Sequence, residues 1–258
     1  FLLQGVTGSG KTEVYLDAVQ HCLSIGRRAI VTVPEISLTP QTVERFAARF
    51  PGQVALLHSG MSVGQRHDQW WKVRQGEYGV VVGSRGAVFA PQPDLGLIVE
   101  DEEHEWTYKQ HDPSPRYHAR DVAIRLAEGT GATVLLGSAS PDLTSYYSAR
   151  RGDFTLLTLP ERFPADGDGR AAQPPAGRLA AVTVVDMRQE LRDGNAGTFS
   201  RELHSSMEGC LASGGQMILF LNRRGSASFV QCRSCGESVR CRRCDVALTY
   251  HRDLERLV

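Results

Sequence analysis

Gly5-Val6-Thr7-Gly8-Ser9-Gly10-Lys11-Thr12 decides the fold of this chain. The eight residues fill every position of the pattern G-x-x-x-x-G-K-[ST]. They stand between an apolar Phe1-Leu2-Leu3, read as the end of a buried strand, and a helical run from Lys11 to Ser24. Glycines let the backbone curl until successive N–H groups point inward at phosphate oxygens. The helix N-terminus that follows adds a favourable dipole. In that geometry Gly5, Val6, Thr7, Gly8, Ser9 and Gly10 cradle the phosphates of ATP. Lys11 reaches the β- and γ-phosphates, and the Thr12 hydroxyl ligates Mg²⁺.

Outward from the loop, short apolar runs alternate with helical ones. Strands are expected over 28–33, 53–57, 79–82, 95–99 and 132–136, with helices over 39–50, 65–75 and 121–128. Apolar strands alternating with helices mean parallel strands covered on both faces, a doubly wound α/β sheet. Residues 160–177 hold four Pro and three Gly (PERFPADGDGRAAQPPAG) and are read as a linker or long loop. A second α/β unit is expected to start after it, with strands at 182–186 and 216–221 and a helix at 200–213. The expected boundaries are a nucleotide-binding domain at 1–159, a linker at 160–178, the start of a second lobe at 179–231, and a cysteine-rich segment at 232–258.

The second half of a nucleotide site is a carboxylate at the tip of a neighbouring strand. Leu97-Ile98-Val99-Glu100-Asp101-Glu102-Glu103-His104 supplies it, about ninety residues after the loop. Ligands of open α/β sheets bind at carboxyl ends of strands, which turns this acidic run from an ordinary solvated turn into a candidate site. Asp101 is placed to hold Mg²⁺ and Glu102 to orient or deprotonate an attacking water. Gly137-Ser138-Ala139-Ser140, at the end of the next strand, is a candidate sensor loop.

Composition sets bounds on the rest. The chain has 258 residues, enough for one large or two smaller domains, and its formal net charge is zero. Whole-chain charge therefore does not mark a nucleic-acid binder, although 216–258 carries eight Arg against four Asp and Glu. No apolar run reaches the ~18 residues of a membrane span, and the opening residues lack a basic signal-peptide region. Both ends are expected to be internal to a longer protein. Four of the six cysteines fall in Cys232-x2-Cys235-x5-Cys241-x2-Cys244. Paired C-x-x-C knuckles favour a metal over disulfides in a chain without a secretory signal. A single four-cysteine zinc site is the simple reading, though five residues is a tight loop for it.

Taken together, GVTGSGKTEVY (5–15), VPEISLTPQ (33–41), GSRGAVFAP (83–91), DEEH (101–104), LLGSASPDL (135–143) and LFLNRRG (219–225) resemble the motifs of superfamily 2 DNA helicases. Their wording resembles the replication-restart helicases in particular, across essentially the whole chain. The resemblance implies a RecA-like first helicase lobe and the start of a second RecA-like lobe interrupted by a zinc-knuckle insertion. It implies an ATP-driven 3′-to-5′ helicase, acting on single-stranded and forked DNA at abandoned replication forks. Its partners would be primosome proteins and single-stranded-DNA-binding protein in the bacterial cytoplasm at the nucleoid, with no membrane.

By the same resemblance His104 couples nucleotide state to the DNA-binding parts. Trp106, Tyr108, Lys109 and Arg116 fall in an aromatic-rich loop that senses single-stranded DNA, and Arg120 contacts phosphate beside them. Aromatic faces stack bases without regard to sequence and basic neighbours hold phosphates. Two zinc ions are implied, with Cys232/Cys235 and Cys241/Cys244 serving different ions completed by cysteines beyond Val258. The adenine-reading Gln would lie before Phe1 and the arginine finger after Val258, so the chain alone is expected to hydrolyse ATP poorly. The alternative is a fork-binding scaffold that does not turn over ATP. A third possibility, another phosphate-loop NTPase, fits the cysteine knuckles poorly.

Overall fold

Two glycines make the turn from strand to helix possible. Gly8 and Gly10 have φ of 82° and 88°, in the left-handed region that side chains with a Cβ avoid. In the computed structural model, which describes residues 1–38, 40–112, 114–162, 181–220, 232, 235, 237–244, 248, 250–251 and 256–257, strand β1 is Leu2–Gly5 and helix α1 is Lys11–Ser24. There follow β2 (Arg28–Thr32), α2 (Pro40–Arg49), β3 (Val54–Leu57) and α3 (Val63–Arg74). A reciprocal Ser62–Gln65 capping box starts α3. Next come β4 (Val80–Gly83), β5 (Leu95–Asp101), α4 (Ala119–Thr130) and β6 (Thr133–Ser138). Then α5 (Leu143–Arg151), capped by the Asp142 side chain, leads to β7 (Leu156–Leu159).

The seven strands form one parallel sheet in the order β3-β4-β2-β5-β6-β1-β7. Successive residues of a strand point to opposite faces, and here both faces are dry. Val31, Val82 and Val99 pack with Tyr15, Leu16 and Val19 of α1 and Phe46 of α2. Their neighbours Ile30, Val81 and Ile98 pack with Val73 of α3 and Ala123 of α4 on the other side. Two covered faces explain why the strands read as unbroken apolar runs rather than as alternating ones. Each such Val or Ile removed from water contributes roughly 1.5–3 kcal/mol. The order brings the carboxyl ends of β1, β5 and β6 side by side, so the phosphate loop and the acidic motif meet although far apart in sequence.

Each strand and helix expected in 1–136 forms to within about two residues, whereas α5 and β7 were not expected. The second unit departs further. The chain divides into two compact units, the first carrying β1–β7 and α1–α5. The second contains α6 (Met187–Arg192), α7 (Arg201–Ala212) and a two-stranded antiparallel ribbon of β8 (Tyr250–His251) and β9 (Arg256–Leu257). The strand expected at 182–186 does not form, nor does the described part of that at 216–221, whose Leu221 lies outside the described residues. Val182, Val184, Ile218 and Phe220 are instead 84–96% exposed. A buried parallel strand needs a hydrogen-bonded neighbour and apolar cover, and no described strand pairs with either segment. Helix α7 does form where expected, because Ser200 caps it locally by accepting from the Leu203 N–H. Residues 163–178 of the expected linker lie outside the described residues.

Candidate nucleotide and nucleic-acid site

Lys11 sits at the first position of α1, 8% exposed. Its ammonium donates to the Gly5 carbonyl at 3.0 Å and lies 3.7 Å from the Glu102 carboxylate. The loop is closely fitted: a Cβ at Gly5 would meet the Ser9 hydroxyl at 2.5 Å and the Lys11 side chain at 3.1 Å. The Ser9 hydroxyl is buried and finds no partner among the described residues. A buried hydroxyl without a partner inside a glycine-built cradle fits an anionic ligand, since leaving such a group unpaired costs roughly 1–3 kcal/mol. Thr12 follows in the first turn of α1, half-buried.

Opposite the loop, β5 ends in Asp101. Its Oδ1 accepts from the Tyr15 hydroxyl at 2.8 Å and from the Glu102 N–H at 3.0 Å. Burial holds this carboxyl above its ordinary range, against the two donors; a divalent cation would reverse that preference. Glu102 has φ of 48°, rare for a residue with a side chain. Its carboxylate lies between Lys11 and His104, whose Nδ1 is 3.5 Å away. His104 Nδ1 also shares a 2.7 Å hydrogen bond with the Ser138 hydroxyl, which accepts from the Ser140 N–H at 3.0 Å. The acidic motif and the candidate sensor loop are thus in direct contact.

Three carboxylates that are neighbours in sequence have different surroundings. Glu103 is buried and fully engaged: it accepts from the Asp142 N–H at 2.7 Å, the Ser145 hydroxyl at 2.8 Å and Arg120 at 3.3 Å. Glu100 is fully buried with neither carboxylate oxygen partnered among the described residues. Burial, and next the charge of Glu103, push its carboxyl up to about 8. Asp101 alone combines burial with proximity to Lys11.

A groove of about 700 Å³ opens at the carboxyl ends of β2, β3 and β4, bounded by Pro34, Arg66, Trp70, Arg85, Trp106 and Lys109 among others. Trp106 is 67% exposed, in a tilted contact with His111. Arg116 is exposed and pairs with Asp112 at 3.2 Å, while Lys109 donates to the Arg116 carbonyl at 3.1 Å. Tyr108 corrects the sequence reading. It is fully buried and its hydroxyl donates to the Asp101 carbonyl at 2.7 Å, so its ring offers no face to a base. The short 3₁₀ turn Trp106–Tyr108 sends one aromatic out and the other in. Arg120, expected on phosphate, is instead engaged by Glu103, Asp142 and Ser145. Sequence reasoning missed Tyr15, Glu103, Arg85 and Trp70; only Tyr15, one turn beyond Lys11 and hence on its face of α1, left a local signal.

The cysteines lie in the second unit. Cys232, Cys235 and Cys244 are exposed and Cys241 partly so, as thiols rather than disulfides. Cys241 Sγ accepts from the Arg243 N–H at 3.5 Å. Backbone donors and the neighbouring Cys244 thiol hold the Cys241 thiol below its ordinary range. A thiolate cradled by N–H groups fits one half of a four-cysteine zinc site. Among the described residues no three metal-ligating side chains converge, so a single four-cysteine site is not assembled.

Comparison with known proteins supplies the context. A family model described as DEAD/DEAH box helicase matches residues 1–147. The replication restart protein PriA of Bacillus subtilis (strain 168) is 51% identical over 257 residues, covering 100% of this chain and 30% of the relative. PriA of Synechocystis sp. is 46% identical over 254 residues, covering 97% of this chain and 29% of the relative. The chain therefore spans about 30% of the length of the curated relatives it matches. Among solved structures, RecG bound to a three-way DNA junction is 26% identical with a TM-score of 0.46, covering 65% of this chain and 21% of that one.

Proposed function

Since the chain belongs to the DEAD/DEAH box helicase family, we propose that it is the ATP-binding part of a DNA helicase or translocase that works in replication restart. The observation carrying this reading is the Lys11–Glu102–His104–Ser138 chain of contacts, which ties the phosphate loop to the acidic motif and the sensor loop. Backbone N–H groups of residues 5–10 bind the phosphates, and Lys11 offsets their charge. Thr12 and Asp101 would hold Mg²⁺, which would supply charge neutralisation at the phosphates. Glu102 holds and deprotonates the attacking water. His104 passes the state of Glu102 to Ser138, beside the α5 junction.

The groove takes single-stranded DNA. Trp106 stacks a base, Lys109 and Arg116 meet phosphates, and Arg66 and Trp70 add a wall from α3. The name of the PriA relatives supports a role in replication restart; within that role we propose abandoned or stalled forks as the substrate, 3′-to-5′ movement, primosome proteins and single-stranded-DNA-binding protein as partners, and the bacterial nucleoid as the place of work. Residues 179–231 begin a second lobe, and each cysteine pair supplies half of a zinc site.

The test is ATP hydrolysis by the full-length gene product, with and without forked DNA, beside Lys11→Ala. DNA-stimulated hydrolysis lost in the variant is the expected result. Hydrolysis indifferent to DNA points to a different NTPase. No hydrolysis with tight fork binding makes the protein a scaffold.

A further inference from the structure

Asp101 is held from two sides by tyrosines that none of the assigned roles uses. Tyr15 lies one turn after Lys11 on α1 and is 1% exposed, yet its hydroxyl donates to Asp101 Oδ1 at 2.8 Å. The Glu102 N–H donates to the same oxygen at 3.0 Å. Both bonds fall on Oδ1, which leaves Oδ2 without a protein donor among the described residues. Tyr15 cannot drift, because its hydroxyl is pressed against Gly137, the β6 residue paired with Asp101. A Cβ at Gly137 would collide with the Tyr15 hydroxyl and meet its ring carbon Cζ at 2.7 Å. The ring itself belongs to the core, packed with Leu16, Val19 and Val99. Tyr108 grips the other end of Asp101, through the main-chain carbonyl rather than the carboxylate.

We infer that Tyr15 is a positioning residue for the magnesium-nucleotide site: by occupying Oδ1 it fixes the Asp101 side-chain rotamer and presents Oδ2 alone to the cation or its water. Packing a rigid phenol between the helix of the phosphate loop and the tips of β5 and β6 makes the arrangement independent of bound ligand. A carboxylate so presented binds with one oxygen and does not chelate. The small residue at 137 follows from the same contact, since nothing larger leaves room for the hydroxyl.

The inference rests on the reading of residues 5–12 and Asp101 as a magnesium-nucleotide site, and the experiment separates the two. A fluorescent ATP analogue is titrated into the full-length gene product in excess EDTA and across a Mg²⁺ series, for the parent sequence, Tyr15→Phe and Tyr108→Phe. Tyr15→Phe keeps the ring and its packing. The expected result is an unchanged affinity in EDTA and a Mg²⁺ midpoint raised roughly 3–10-fold, the worth of one net hydrogen bond. Tyr108→Phe leaves the midpoint where it was, because its partner is the carbonyl. An unchanged midpoint in Tyr15→Phe overturns the inference while leaving the site intact. An equal loss with and without Mg²⁺ also overturns it, marking the residue as merely structural. A parent sequence that binds nucleotide with no Mg²⁺ dependence sinks the inference and the reading beneath it.

Discussion

The Tyr108 hydroxyl donates to the main-chain carbonyl of Asp101 at 2.7 Å, while Trp106, two residues earlier, stands 67% exposed at the mouth of the groove. One short turn therefore connects the surface proposed for DNA with the strand end proposed for the metal.

The two aromatics separate by measurement. Trp106→Ala is expected to weaken single-stranded DNA binding by roughly 1–3 kcal/mol, the worth of one stacked base, and to leave thermal unfolding unchanged. Tyr108→Phe strands the Asp101 carbonyl in a buried place and is expected to lower stability by roughly 1–2 kcal/mol. Fluorescence anisotropy with an oligonucleotide, beside thermal melts, checks both. A Trp106→Ala variant that binds DNA like its parent removes the groove from the DNA path.

Glu103 anchors α4 and α5 to the end of β5 through Arg120, Ser145 and the Asp142 N–H. Glu103→Ala leaves Arg120, only 14% exposed, short of its most buried partner. The expected loss is roughly 3–5 kcal/mol in urea unfolding, because a buried charge without its partner is worse than no pair. Glu103→Gln, which still accepts two hydrogen bonds, loses less. A loss below about 1 kcal/mol in the alanine variant would falsify the anchoring role.

Glu100 makes stability depend on pH in a stated direction. Its carboxyl is raised to about 8 in the fold, against an ordinary value near 4.3 in the unfolded chain. Below both values the group is protonated in either state and carries no penalty. Between them the unfolded chain ionises and the folded one does not, so stability falls as pH rises through that window and levels off above it. Glu100→Gln removes the dependence. Denaturation at pH 5 and pH 8.5 is expected to show the variant gaining roughly 2–4 kcal/mol on its parent at the higher pH. Parallel pH profiles for the two proteins would refute the assignment.

Metal removal bears on the cysteine pairs. Protein purified in zinc-containing buffer is expected to protect Cys232, Cys235, Cys241 and Cys244 from alkylation, and chelator is expected to expose them. With the metal gone, Cys241 reacts before Cys22, since its thiol is lowered whereas burial raises that of Cys22. Mass mapping of the alkylated peptides reads both effects. Equal labelling with and without chelator argues against zinc.

How much of this was legible beforehand depends on the range of the interaction. The phosphate loop, the run into Asp101 and the alternation of β1–β6 with their helices rest on contiguous residues, and the sequence carries them. Helix α5 (LTSYYSARR) escaped because it has no buried apolar stripe: Ser145 is its buried residue while Leu143 and Tyr147 are exposed; β7 is four residues at a sheet edge. Tyr15–Asp101 and Glu103–Ser145 join residues 86 and 42 apart, and no local pattern announces them. The expected strands at 182–186 and 216–221 erred in the other direction: local apolar character was present and the partner strand was not. Tyr108 looked like Trp106 in sequence because nothing local says which way a turn faces.

The sheet order also has a consequence in time. Strand β1 lies between β6 and β7, with Leu2 opposite both Leu136 and Leu156. During synthesis, at ~5–20 residues per second, roughly 8–30 s separate the appearance of Gly5 from that of Leu159. Until Ser138 completes β6, which is most of that interval, the loop proposed to bind ATP has neither flanking strand, and such non-local parallel pairings are slow to close. The nucleotide site is written early in this chain and assembled late, which makes the nascent first lobe a natural client for chaperones.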